Sequence, residues 1–212
     1  MAKIYPQRPP NSVLEDPKRR AELEVFNALK TLPNPYVIFY SSHWQTQNDY
    51  EGLKEGEADF IIAHPEMGFI ALEVKGGSIY YNSELSQWYS QDRAGVTHEI
   101  KDPLDQARRN HYNLIKQLSK LQGWPDRKVN FCHAVCFPDS LKRPGQSFTS
   151  DLSNEQILDR RDLDNIENSI KELFRYAFGA NMSNYAPGEK AVQIAQSFLA
   201  NSFELRTPLG VD

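Results

Sequence analysis

The chain has 212 residues, 40% hydrophobic and 25% charged, with a formal net charge of −4. That length allows a real core in one domain, or one domain with an appendage, and the composition is that of a soluble globular protein. No stretch reaches the roughly 18 uninterrupted apolar residues of a membrane span, and the opening MAKIYPQRPPNSVLEDPKRR lacks the apolar segment of a secretory signal.

Residues 1–18 read as a loosely ordered arm. Arg19 to Leu32 follows as an amphipathic helix, with Leu23, Phe26, Ala28 and Leu29 at helical spacing and Pro33 ending it. Tyr36 to Ser41 is a short strand, and the polar run 45–56 reads as a loop. Ala58–His64 and Phe69–Lys75 are strand-like runs joined by a short turn containing Pro65 and Gly68. A second hairpin is expected within 87–100, QWYS and VTHEI turning at QDRAG. Asp102-Pro103 supplies an N-cap and an N1 proline for a helix running to about Leu121.

Val129 to Phe137 reads as a core strand. It holds both cysteines, Cys132 and Cys136, which four residues of strand separate by roughly 13 Å, too far for a disulfide or a shared metal. His133 points to the opposite face. Two unpaired thiols fit a reducing compartment, so the expected location is cytoplasmic. Beyond come a polar loop over 139–155, a short strand at 156–158, helices over 162–178 and 187–200, and an extended piece at 203–206. The order is that of a mixed α/β domain with helices flanking a central sheet.

The first hairpin carries the chemistry. Strand alternation puts Glu57, Asp59, Ile61 and Ala63 on one face, and Phe69, Ala71, Glu73 and Lys75 on the matching face of its partner. If His64 opposes Gly68, Asp59 falls across from Glu73 with Cβ atoms roughly 4.5–5.5 Å apart. Two such carboxylates repel unless a divalent cation lies between them or one is protonated. Lys75 sits roughly 6.6 Å further along the same face. Phe60, Ile62, Ile70, Leu72 and Val74 form the opposite, apolar face, so one side is expected to pack and the other to do chemistry. An amphipathic hairpin with a charged solvent face satisfies the same pattern. Against that stands the small ligand requirement of Mg²⁺, which binds through one or two carboxylates and keeps several waters.

The segment GEADFIIAHPEMGFIALEVKGG resembles the core motif of the nuclease-related domain (NERD) family, a branch of the PD-(D/E)XK nuclease superfamily. The superfamily signature falls on Asp59 and on Glu73-Val74-Lys75, with Ala58 where proline is common. AELEVFNAL is similar to the family's opening helix, its motif glutamate falling on Glu22, or on Glu24 if the helix is rotated. KDPLDQA is similar to the motif after the second hairpin, its glutamine falling on Gln106. The resemblance spans roughly residues 19–121 and extends more weakly over the strand at 129–138.

It implies an α/β, restriction-endonuclease-like PD-(D/E)XK core over residues 19–138, with 139–212 as a helical extension of the same domain. It also implies metal-dependent hydrolysis of phosphodiesters in DNA, or in RNA. Asp59 and Glu73 would hold Mg²⁺ or Mn²⁺, and Lys75 would position water or stabilise charge on the phosphate. Gln106, near a helix start, would meet a phosphate. Glu22 would add a carboxylate or orient a metal water, and Glu57 would stand behind the metal ligands. Similar segments precede superfamily I helicases, so a helicase in the same polypeptide or complex is an expected partner; residues 1–212 contain no GxxxxGKS/T phosphate loop.

The competing reading is a catalytically weak nucleic-acid-binding or docking module that retains the nuclease fold, which the acidic balance favours. A two-carboxylate glycosidase conflicts with the neighbouring lysine and the motif order. Arg109, Lys116 and Lys120 share one side of the helix 103–121, either tracking a nucleic-acid backbone or forming a solvated face. Trp88, Tyr89 and His98 either stack on bases or pack across strands.

Overall fold

In the computed structural model the described residues are 1–48, 52–143 and 152–200. The strands are β1 (Lys3–Tyr5), β2 (Val37–Asn48), β3 (Gly52–His64), β4 (Gly68–Val74), β5 (Ser78–Asn82), β6 (Gln87–Gln91), β7 (Thr97–Ile100), β8 (Phe131–Cys136) and β9 (Ile157–Leu158). The α-helices are α1 (Asn11–Leu14), α2 (Arg20–Lys30), α3 (Pro103–Leu118), α4 (Arg160–Asp164), α5 (Ile166–Phe178) and α6 (Gly188–Leu199).

Six strands form a mixed central sheet in the order β1-β2-β3-β4-β8-β9. β3 is antiparallel to both neighbours, while β1–β2, β4–β8 and β8–β9 are parallel. Residues of even number on the sheet (Ile38, Phe60, Ile62, Ile70, Leu72) pack with Phe26 and Leu29 of α2 and Ile170 and Phe174 of α5. Their odd neighbours (Phe39, Ile61, Ala63, Phe69, Ala71) pack with Leu114 and Leu118 of α3 and Val192 and Ala195 of α6. The result is helices on both faces of one sheet, the mixed α/β architecture expected. A small sheet, β5-β6-β7, is joined on by Trp88, which packs with Leu104 and Ala107 of α3 and with Val135 and Phe137.

The structure corrects the picture of a hairpin with one packing face and one chemical face. Every residue of β4 is buried, because α3 and α6 close the face left to solvent. A second correction concerns 45–56: β2 and β3 stay paired from Val37↔Ala63 out to Asn48↔Gly52. Ladder bonds are made by backbone, so a polar run does not exclude pairing. Residues 49–51 lie outside the described residues, as do 144–151 of the expected loop and the extended piece at 203–206.

Lys3–Tyr5, read as arm, instead adds a parallel edge strand to β2 and buries Ile4. The helix expected over 162–178 is divided at Asn165, whose φ of −131° and ψ of 46° are not helical. Asp159 caps the first piece, accepting from the N–H groups of Arg161 and Asp162. Among the described residues no helix is long and apolar enough to cross a membrane.

Candidate active site

The site forms where β3 and β4 part. Their ladder runs from His64↔Gly68, as expected, to Phe60↔Leu72 and stops there. On its other edge β4 stays paired with β8 through Val74↔Cys136, and the Lys75 N–H then donates to the Cys136 carbonyl at 3.0 Å. Asp59 takes the place of the missing rung: its Oδ2 accepts from the Val74 N–H at 2.7 Å. Asp59 and Glu73 are therefore linked through the backbone beside Glu73 and not, as the ideal register implied, by a regular cross-strand pair.

The departure coincides with a local distortion of β2. Ser41 on β2 has a φ of 48°, a left-handed conformation uncommon outside glycine. It lies between the pairs Tyr40↔Phe60 and Ser42↔Ala58, beside Asp59. Ala58 joins the apolar cluster of Ile61 and Ala63, which strict alternation would not allow.

Glu73 is only 5% exposed, and the Lys75 ammonium donates to its Oε1 at 2.6 Å. Burial pushes the Glu73 carboxyl above the usual range, Lys75 opposes the rise, and Glu57 and Glu22 add to it. Burial, then the Glu73 charge, then Glu22, push Asp59 up to about 8, against the lowering effects of Lys75 and the Val74 N–H. One ammonium thus faces two inward carboxylates with further acidic groups behind them. Glu57 is exposed and contributes its charge from the rim.

Glu22, rather than Glu24, faces the site. Glu24 turns to Arg20 and Arg160. Glu22 is held by Arg19, with Nε to Oε1 at 3.0 Å and Nη2 to Oε2 at 2.7 Å, and the Tyr40 hydroxyl donates to Oε2 at 2.8 Å. Sequence reasoning missed Arg19 and Tyr40; the i,i+3 spacing of Arg19 and Glu22 was the available signal.

Gln106 lies in the first turn of α3. Asp102 caps that helix, accepting from the Asp105 N–H at 3.0 Å. The Gln106 Oε1 is buried and accepts no hydrogen bond, one of two such side-chain atoms among the described residues. An unsatisfied buried carbonyl costs about 1–3 kcal/mol, so this oxygen is suited to a water, a cation or a ligand donor. Among the described residues no three of His, Cys, Asp and Glu cluster as a metal cage. The carboxylates of Asp59 and Glu73 are hard oxygen donors, a type that suits Mg²⁺ or Mn²⁺ that retains water.

Other expected contacts fall elsewhere. Trp88 is 6% exposed and belongs to the core, not to a stacking platform. Tyr89 stacks on Tyr80 with centroids 5.1 Å apart, and His98 pairs with Asp92 at 3.1 Å. Arg109, Lys116 and Lys120 are exposed on α3 and just beyond it, with Arg109 tied back to Asp105. Cys132 and Cys136 are free, buried thiols whose ionisation burial opposes.

Searches of the curated proteins and of the solved structures return no match. The family model described as "Nuclease-related domain" matches residues 17–138, more than half of the 212. That span runs from the start of the opening helix to the end of β8 and encloses Glu22, Asp59, Glu73, Lys75 and Gln106. The chain belongs to the nuclease-related domain (NERD) family.

Proposed function

We propose that this domain is a Mg²⁺- or Mn²⁺-dependent nuclease that hydrolyses phosphodiester bonds in DNA, with Asp59 and Glu73 as metal ligands and Lys75 at the phosphate. The supporting observation is a buried Glu73 and a half-buried Asp59, both carboxyls raised above their ordinary range beside Lys75, which is bonded to Glu73. When bound, the cation would supply Lewis acidity at the phosphate and make a coordinated water more acidic. Asp59 keeps one oxygen on the Val74 N–H, which fixes its direction, and leaves Oδ1 for the cation. Glu73 gives Oε1 to Lys75 and leaves Oε2. Lys75, bonded to Glu73 and partly exposed, orients water or balances charge growing on the phosphate. Gln106 offers its buried Oε1 to water or metal, Glu22 orients water from the α2 side, and Glu57 adds negative charge from the rim. Arg109, Lys116 and Lys120 would track the backbone of DNA or RNA.

The same reading puts residues 139–212 in an extension of the nuclease domain and gives it a superfamily I helicase as partner, in the cytoplasm. A motor that delivers DNA would offset the weak grip expected from the net charge of −4. That charge is also what favours a docking module as the second reading.

The test is cleavage of labelled single- and double-stranded DNA, and of RNA, in Mg²⁺, Mn²⁺ or EDTA. Glu73→Gln and Lys75→Ala are each expected to lower the rate about 10²-fold or more. Unchanged cleavage in both variants sinks the assignment. A wild type that binds without cutting supports the docking module.

A further inference from the structure

We propose that the cleft between α3 and the segment leading into β8 seats a base of a single-stranded nucleic acid, away from the cleavage site. This deepens the nuclease reading, from which it takes the kind of ligand. The cleft holds about 730 Å³, within the range of small-molecule sites. Its wall is the end of a ladder of near-parallel rings. Phe69 stacks on Phe131 with centroids 5.3 Å apart, Phe131 on His111 at 4.7 Å, and His111 on Tyr112 at 4.5 Å. Trp124 closes the inner end against Phe69 at 5.8 Å.

The ladder is buried at Phe69 and ends in water at Tyr112, which is 59% exposed. A large aromatic held at that exposure by a buried stack offers a π-face that any base can extend. The His111 Nδ1 is hydrogen-bonded to the His133 Nδ1 at 3.1 Å, so the imidazole beneath Tyr112 is fixed in orientation.

Two cations, Arg127 and Lys128, share the lining with Tyr112. The Arg127 guanidinium is anchored by the Ala186 carbonyl at 2.7 Å and the Lys128 carbonyl at 3.3 Å. The Lys128 ammonium lies 5.5 Å from the Tyr185 ring. Ser119 and Asp126, also in the lining, present groups suited to a base edge. Aromatic face and basic rim together are the composition used for single strands, whose bases are free to stack, and not for duplexes. Phe131, in the lining, pairs with Phe69, four residues and about 13 Å from Glu73 along β4, and the ring ladder leads outward from there to Tyr112.

The experiment is fluorescence anisotropy of a labelled dT oligonucleotide titrated with the full chain in EDTA, beside the matched duplex. Tyr112→Ala is expected to weaken single-strand binding about tenfold or more, while Tyr112→Phe, which keeps the ring, stays within about twofold of wild type. Lys128→Ala should lower the slope of log affinity against log salt by about 0.7. Thermal melts establish that the variants fold, which the exposure of Tyr112 favours. Single-strand binding unchanged in Tyr112→Ala overturns the proposal, as does a wild type that binds no dT strand or prefers the duplex. Cleavage by wild type and by Glu73→Gln, followed separately in Mg²⁺, reports on the nuclease reading, so that the cleft can fail while the active site stands.

Discussion

Removing the Asp59 charge should make the metal-free protein more stable, and more so as pH rises. The folded chain raises this carboxyl from its ordinary 3.8 to about 8, so the fold favours the protonated form. Below about pH 4 the group is protonated in both states and carries no penalty. As pH climbs from there through about 8 the unfolded chain ionises freely while the folded one resists, and native stability falls. At 1.36 kcal/mol per pH unit the ceiling of that loss is about 6 kcal/mol. Glu73, itself raised, shares this penalty with Asp59, and relaxation and water entry offset more. We therefore expect Asp59→Asn to gain about 2 kcal/mol at pH 8, which for a chain of this size is about 4–8 °C in Tm. The asparagine Oδ1 can still accept from the Val74 N–H, so the missing rung stays filled. The assay is thermal melting of both proteins in EDTA from pH 4 to pH 9. The gap should open with pH, and added Mg²⁺ should narrow it by stabilising the wild type alone. A variant less stable at every pH, or a gap that does not change with pH, would refute the reasoning.

Three further outcomes follow from the packing. Asn130 is 1% exposed and its Nδ2 donates to the carbonyls of Met67 at 2.9 Å and Met182 at 2.7 Å; Asn130→Ala should cost about 2–3 kcal/mol, read as a lower urea midpoint with unchanged slope. Gly68 has a φ of 147°, and a Cβ there would lie 2.7 Å from the Asn130 carbonyl oxygen. Gly68→Ala should therefore lose about 2 kcal/mol or more, and an unaltered melt would show that β4 can shift. Cys132 and Cys136 are buried with their thiols held protonated, so a thiol reagent should label them only after denaturation; rapid labelling of the native chain would contradict the packing of β8.

The hairpin was legible because two independent signals agreed. The Pro65–Gly68 turn set the register, and the apolar residues at alternating positions gave the packing face toward α2. The second buried face was legible only in part. Ile61, Ala63, Phe69 and Ala71 are apolar at the opposite parity, which was a sign of a strand covered twice. The helix that completes the cover, α6, begins more than a hundred residues later, where no local pattern ties it to the sheet. The choice between Glu22 and Glu24 is a turn of about 200° around the helix axis, and it was settled by partners distant in sequence: Tyr40 for one, Arg160 for the other. The turn of Asp59 onto the Val74 N–H occurs beside a left-handed serine at position 41, a conformation that residue type does not announce.

The bond from the Lys75 amide to the Cys136 carbonyl has a consequence in time. A chain made from its N-terminus presents Asp59 and Glu73 long before Phe131–Cys136 exists. Until β8 docks, β4 has an open edge and the lysine has nothing to hold its backbone in place. Pairing so distant in sequence is closed late, after the hairpin and its local contacts. The nascent chain therefore carries its carboxylates without the assembled site, and on the proposed nuclease reading a product truncated before residue 131 is expected to be inert however well its first hairpin formed.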